Sequence, residues 1–206
     1  MEQDARSWHQ FNVMGPTPVE NFRYYVELQP RFRDELTSFD LLFFRPAIYY
    51  ELSKKTSIWL GYLYGQTFES PNPATATEHR LWQQLLTGFD FDNGIKLKSQ
   101  TRFEQRTFEG SNDIAYRFRQ KIGVYIPSSF HPRLRYAFYD EVHFYLNNTD
   151  FGAVKGFEQN RFFLGLDWKM SDELNIEGGY MNQYFYRSSQ PDIVNHVIQV
   201  LYTWNF

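Results

Sequence analysis

The chain alternates. From Phe22 to Arg33, one parity carries Phe22, Tyr24, Val26, Leu28, Pro30 and Phe32, and the other carries Arg23, Tyr25, Glu27, Gln29, Arg31 and Arg33. A repeat of two places successive side chains on opposite faces of a β-strand. The pattern recurs over about 40–52, with Leu42, Phe44, Pro46, Ile48 and Tyr50 against Phe43, Arg45, Ala47, Tyr49 and Glu51. Ile58, Leu60, Tyr62 and Tyr64 mark a further strand. Residues 78–89 alternate poorly, which suggests a hidden β-bulge. Residues 95–106 alternate most clearly, with Lys96, Lys98, Gln100, Arg102, Glu104 and Arg106 on a single face. Four more segments follow, over 114–126, 134–146, 162–169 and 174–183. A final one, Val194 to Phe206, puts Val194, His196, Ile198, Val200, Tyr202, Trp204 and Phe206 on one parity. A short candidate, Ser7 to Met14, comes first and is broken by Gly15-Pro16-Thr17-Pro18, since proline cannot donate to a ladder.

The connections carry a second signal. Turns at 53–55, 92–94, 127–132 and 171–173 are tight, and Asp92-Asn93-Gly94 is a strong hairpin dipeptide context. The alternate connections at 69–77, 109–113, 147–156 and 187–192 are mostly longer. Short turns on one rim and longer loops on the other are the arrangement of outer-membrane barrels, on their periplasmic and extracellular sides respectively. The expected fold is therefore all-β: a single antiparallel up-and-down transmembrane β-barrel of 10–12 strands, occupying residues 1–206. Bacterial single-chain barrels have even strand numbers. Counting back from Phe206 then leaves residues 1–20 as a periplasmic or lumenal N-terminal segment.

Composition sharpens this picture. Phe, Tyr and Trp make 20% of the 206 residues, yet 22% are charged and mean hydropathy is -0.57. A helical membrane protein needs ~18 or more consecutive apolar residues, and no such run exists. A barrel needs apolar residues only at every second position. The absence of cysteine excludes disulfides and thiolate metal sites, and a net charge of -3 argues against nucleic-acid binding. No metal or other cofactor is indicated. Met1-Glu2-Gln3-Asp4 has no apolar leader behind it, so a bacterial outer-membrane location requires that Met1 be a start placed on a mature sequence.

Charge placement suggests the lumen. Arg23, Arg31, Arg45, Arg102, Arg106, Arg117, Arg119, Arg135 and Arg161 share the polar parity with Glu27, Glu51, Glu104, Glu141 and Asp167. Facing lipid, such groups would cost ~2–4 kcal/mol each near the midplane. Facing each other across a lumen, the arginines can grip carboxylates with two N–H groups at once. Trp168, Tyr202, Trp204 and Phe206 fall where an interface girdle of aromatics belongs.

The segments W-H-Q-F-N-V-M-G-P, L-Q-P-R-F-R, L-L-F-F-R-P-A, E-H-R-L-W-Q-Q-L, R-F-E-Q-R, Y-D-E-V-H-F, Q-N-R-F-F-L-G-L and G-G-Y-M-N-Q-Y span most of the chain. As a set they resemble the domain-of-unknown-function 2490 family of bacterial outer-membrane β-barrels. The resemblance implies a fold and a location but supplies no activity. Phe206 also resembles the C-terminal aromatic signal read by the barrel assembly machinery. Lipid, lipopolysaccharide and that machinery are then the expected partners.

Three functions remain open. The first is a small outer-membrane barrel, structural or narrowly conducting, with its lumen filled by charge. The second is an anion-favouring small-solute channel lined by arginine. The third is a lipid-modifying enzyme, for which Glu141 and His143 share a face and His196 sits on the apolar parity. That reading lacks a serine motif, since Ser188 and Ser189 lie in a loop, so an enzyme is the less favoured outcome.

Overall fold

The computed structural model describes residues 1–68, 77–188 and 190–206. Most of the loop expected at 69–77, together with Ser189, lies outside the described residues. Eleven strands form: β1 (Glu2–Pro16), β2 (Phe22–Arg33), β3 (Ser38–Ser53), β4 (Thr56–Thr67), β5 (Thr77–Asp90), β6 (Lys96–Phe108), β7 (Ala115–Pro127), β8 (Leu134–Tyr145), β9 (Gly156–Lys169), β10 (Leu174–Phe185) and β11 (Ile193–Asn205). No helix occurs among the described residues. Each strand pairs with its neighbours in sequence, and the ring closes into a barrel.

The N-terminal expectation needs correction. Residues 2–16 are neither a periplasmic nor a lumenal segment but a wall strand. β1 pairs in parallel with β11 from Glu2↔Ile193 to Met14↔Asn205, and antiparallel with β2. The physical reason is parity of count. Eleven strands joined by hairpins leave the first and last running the same way, so only a parallel pair can close the ring. The remaining pairs are antiparallel, as expected of an up-and-down barrel.

The bulge expected in β5 is absent: its register runs unbroken against both β4 and β6. Its alternation is blurred because Trp82 and Leu86 point inward beside Arg80 and Gln84. Register shifts occur instead at Arg31/Phe32, Glu51/Ser53 and His143/Phe144.

Polarity is inverted relative to a water-soluble barrel. Along β3, inward Arg45 is 8% exposed while outward Phe44 and Ile48 are 44% and 49% exposed. Leu28, Leu60, Leu81, Ile122, Leu164 and Ile198 repeat this on the outer face of their strands. The inward side of β8–β11 is packed by an aromatic cluster with Trp8, Tyr139, Phe163, Met181 and Val197. Tyr139 and Phe163 stack with ring centroids 4.6 Å apart. On the other side of the lumen, Tyr25, Tyr49, Trp59 and Trp82 form a second cluster.

Gly165 and Gly179 face each other across β9 and β10 and make room for the Phe163 ring. A Cβ on Gly179 would lie 2.3 Å from the Leu164 carbonyl oxygen and 2.9 Å from the Phe163 ring. Backbone cannot yield as a flexible side chain does, so Gly179→Ala is expected to cost about 1–3 kcal/mol in urea unfolding, the range for overpacking. Gly178→Ala, whose Cβ would meet nothing closer than 3.8 Å, serves as the neutral comparison.

Candidate functional site: a charged lumen

Inward parity on β2, β3 and β5–β9 gathers the charged residues into one network. Glu104, on β6, is its centre and is 0% exposed. Arg117 grips one carboxylate oxygen with Nε at 2.8 Å and Nη2 at 2.6 Å. Arg119 donates to the other from 2.8 Å and Arg80 from 3.3 Å. This follows from register, because Glu104 sits directly opposite Arg117 on β7 and Trp82 on β5, with Arg80 and Arg119 one inward position away. The network extends outward from there. Arg119 also donates to Glu141 at 2.6 Å, Arg117 to Glu158 at 3.0 Å, and Arg80 and Arg106 to Glu78 at 2.8 and 2.6 Å. Arg106 also bonds the Tyr145 hydroxyl. On β2 and β3, Arg45 pairs with Glu27 at 2.6 Å, and the Tyr25 hydroxyl donates to the same carboxylate.

Charge balance is unequal. Eight arginines (31, 45, 80, 102, 106, 117, 119, 161) and Lys121 share the lumen with six glutamates (27, 78, 104, 141, 158, 177). Arg161 reaches Glu141 only at 3.5 Å, and Arg102 reaches Glu104 only at 3.8 Å. Among the described residues, no carboxylate lies within ion-pair distance of Arg31, which donates to the Gln29 carboxamide at 2.7 Å. Arg102 likewise donates to Gln84 at 2.6 Å.

The remaining sequence candidates lie apart from this centre. Arg23 is at a rim, 4.0 Å from Glu51, and donates to Asn205 and to the Phe206 carbonyl. Arg135 is near the same rim, 3.6 Å from Asp167. Trp168, Tyr202 and Trp204 point outward toward that rim, and the Phe206 N–H donates to the Met14 carbonyl. Tyr202 stacks on Phe11 at 5.2 Å and on Trp204 at 6.2 Å, so the parallel closing pair joins these aromatics into one cluster.

Sequence reasoning missed Glu78, Arg80 and Glu158. Glu78 and Arg80 were hidden by the blurred alternation of β5. Glu158 lies beside the β8–β9 register shift, ahead of the segment whose alternation is clear. The even spacing of Glu78, Arg80, Trp82 and Gln84 was the available signal.

His143 is fully buried between carboxylates, with Nε2 3.2 Å from Glu141 and Nδ1 3.6 Å from Glu158. Neither contact has hydrogen-bond geometry. His196 points outward, where its Nδ1 meets the Tyr180 hydroxyl at 2.6 Å. The two histidines therefore lie on opposite faces of the wall and cannot share a reacting centre. Above the strands, Asp192 accepts from the Tyr184 hydroxyl at 2.6 Å and the Arg187 N–H at 2.9 Å, which holds its carboxyl below the usual range.

A cavity of about 1050 Å³ runs within the lumen. Lys55 and Asp172 line it near one rim, and Arg6 and Asp40 line it near the other. Its wall combines guanidinium groups, carboxylates, carboxamides and aromatic rings.

Residues 5–194 match the family described as "Protein of unknown function (DUF2490)". The chain belongs to the DUF2490 family. The match takes in β1 from residue 5, which agrees with β1 being part of the wall. An uncharacterized protein of Methylorubrum extorquens is 26% identical over 202 residues, covering 96% of this chain and 86% of that one. No solved structure matches the chain.

The network makes one carboxylate disproportionately important. Glu104→Gln leaves Arg80, Arg117 and Arg119 without their shared counter-charge. Removing one partner of a buried pair costs about 3–5 kcal/mol, and a loss of that order is expected in urea unfolding of this DUF2490 barrel. Glu51→Gln, at the exposed rim, is expected to stay within about 0.5 kcal/mol.

Proposed function

We propose that this protein is a bacterial outer-membrane barrel whose lumen is kept constricted by the arginine–glutamate network, so that it does not serve as an open diffusion pore. The observation that carries the reading is the inverted wall: apolar side chains cover the outside, and paired charges fill the inside. In water that arrangement would leave large apolar patches exposed, which monomeric soluble proteins avoid. In lipid it is what a spanning strand requires, because only a closed ring satisfies every backbone group. Strands of 12–16 residues also exceed the ~9–11 needed to cross a bilayer at a tilt.

On this reading the rim carrying Trp168, Trp204 and Phe206 is periplasmic. The connections at 109–114, 146–155 and 186–192 face outside, against lipopolysaccharide. β11 is the strand offered to the barrel assembly machinery. The lumen has a structural role with narrow conduction at most. The cavity lined from near both rims favours, as a second reading, slow passage of small anions over a complete seal.

Planar bilayers test this. The wild-type protein is expected to show low conductance without stable large steps. Glu104→Gln, which removes the carboxylate that draws three arginines together, is expected to raise conductance severalfold and to favour anions. Large ohmic steps from the wild-type protein would contradict the constricted lumen. Migration in detergent gels that does not change on heating would contradict the membrane barrel itself.

A further inference from the structure

We propose that the lumen binds a small multivalent oxyanion, a phosphate or carboxylate compound, on the arginines that the glutamates leave under-neutralised. The centre of the site is Arg31 and Arg161, which share the Trp8 ring, with Arg102 lining the same cavity.

Three observations point the same way. First, these three arginines are the ones that carboxylates serve least: Arg31 has none within ion-pair distance among the described residues, and the nearest contacts of Arg161 and Arg102 are 3.5 and 3.8 Å. Buried charge is normally paired or neutralised. Carboxamides from Gln29, Gln84 and Gln159 supply hydrogen bonds here without supplying negative charge.

Second, the arginines are braced by rings and carboxamides more closely than by carboxylates. The Arg31 guanidinium carbon lies 3.7 Å from the Trp8 ring centroid, and that of Arg161 lies 5.1 Å from it. Arg102 lies 4.3 Å from Trp82. A cation over an aromatic face gains attraction, yet the net charge stays. Arg31 and Arg161 therefore share a single indole, with only the 3.5 Å contact of Arg161 to Glu141 to offset their repulsion. Such braced guanidinium groups, already ordered, lose little further freedom on gripping a planar or tetrahedral oxyanion.

Third, the lumen is short of acceptors. The indole N–H groups of Trp8 and Trp82 and the Arg45 Nε are buried without a hydrogen-bond partner among the described residues. An oxyanion supplies both the missing negative charge and several acceptor oxygens. A halide accepts hydrogen bonds too, but at a single atom, whereas an oxyanion spreads its acceptors over several oxygens.

This deepens the constricted-lumen reading but fails separately from it. Conductance reports whether the lumen passes current, whereas the present claim is read by binding in detergent solution. The full chain is titrated calorimetrically with inorganic pyrophosphate and, in a second arm, with citrate, each at ionic strength matched with choline chloride. Saturable one-site binding of at least one of them is expected. Arg31→Gln and Arg161→Gln should each weaken it about tenfold or more, and the triple variant with Arg102→Gln should abolish it. The arm that binds distinguishes phosphate from carboxylate.

A second measurement guards against variants that merely misfold. In anion-free buffer, Arg31→Gln should unfold at a higher urea concentration than wild type, because it relieves repulsion. Arg117→Gln, which strips Glu104 of its fork, should unfold at a lower one. The proposal is overturned if neither probe binds saturably, if the triple variant binds like wild type, or if Arg31→Gln lowers the urea midpoint as Arg117→Gln does.

Discussion

Most charges on the inward face of this barrel are buried and depend on one another to replace bulk water. That constraint explains the layout of the lumen. A lone carboxylate at the position of Glu104 would be prohibitively desolvated. With three arginines from β5 and β7 donating to it, the group is held from both neighbouring strands. The register of β5, β6 and β7 and the identity of the charged residues thus support each other. A one-residue slip of β6 would turn Arg102, Glu104 and Arg106 outward and Phe103 and Gln105 inward. The pairing that forms is the one in which both faces are satisfied at once.

The same logic reaches the ends of the chain. If the apolar outside faces lipid, as proposed, the barrel cannot leave an open strand edge, because unpaired N–H and C=O groups would have no partner there. β1 therefore runs the full height of β11, even though its first residues are polar on both parities. The parallel closure is a consequence of the odd strand count and not a separate feature. It also brings Phe11 against Tyr202, so the closing seam carries part of the aromatic rim.

Much of this was legible in the sequence, and the failures have physical causes. Residues such as Leu42 to Tyr50 and Lys96 to Arg106 announce strand, face and polarity because the period of two is uninterrupted there. Arg45 and Glu27 could be placed on one side of the wall by parity alone. β1 was misplaced because an even strand count was expected, which set the Ser7–Met14 candidate outside the wall, and because pairing with a strand at the far end of the chain leaves no local trace. Glu78 and Arg80 were obscured by inward Trp82 and Leu86. Nothing local could show that Arg31 lacks a carboxylate among the described residues, since its possible partners lie on strands fixed only by closure and radius. Parity tells which way a side chain points, but ring closure decides what it meets.

The central claim is that the apolar parity faces lipid while the charged parity faces the lumen. The chain has no cysteine, so single cysteines can be introduced cleanly. With the protein reconstituted in vesicles, an environment-sensitive fluorophore at Leu164→Cys or Ile198→Cys is expected to emit as in an apolar medium. It should be quenched by spin-labelled lipid and not by aqueous iodide. The same fluorophore at Lys98→Cys, on the inward parity, should escape the lipid quencher. Iodide quenching at Leu164→Cys and Ile198→Cys, with no effect of the spin-labelled lipid, would contradict the account.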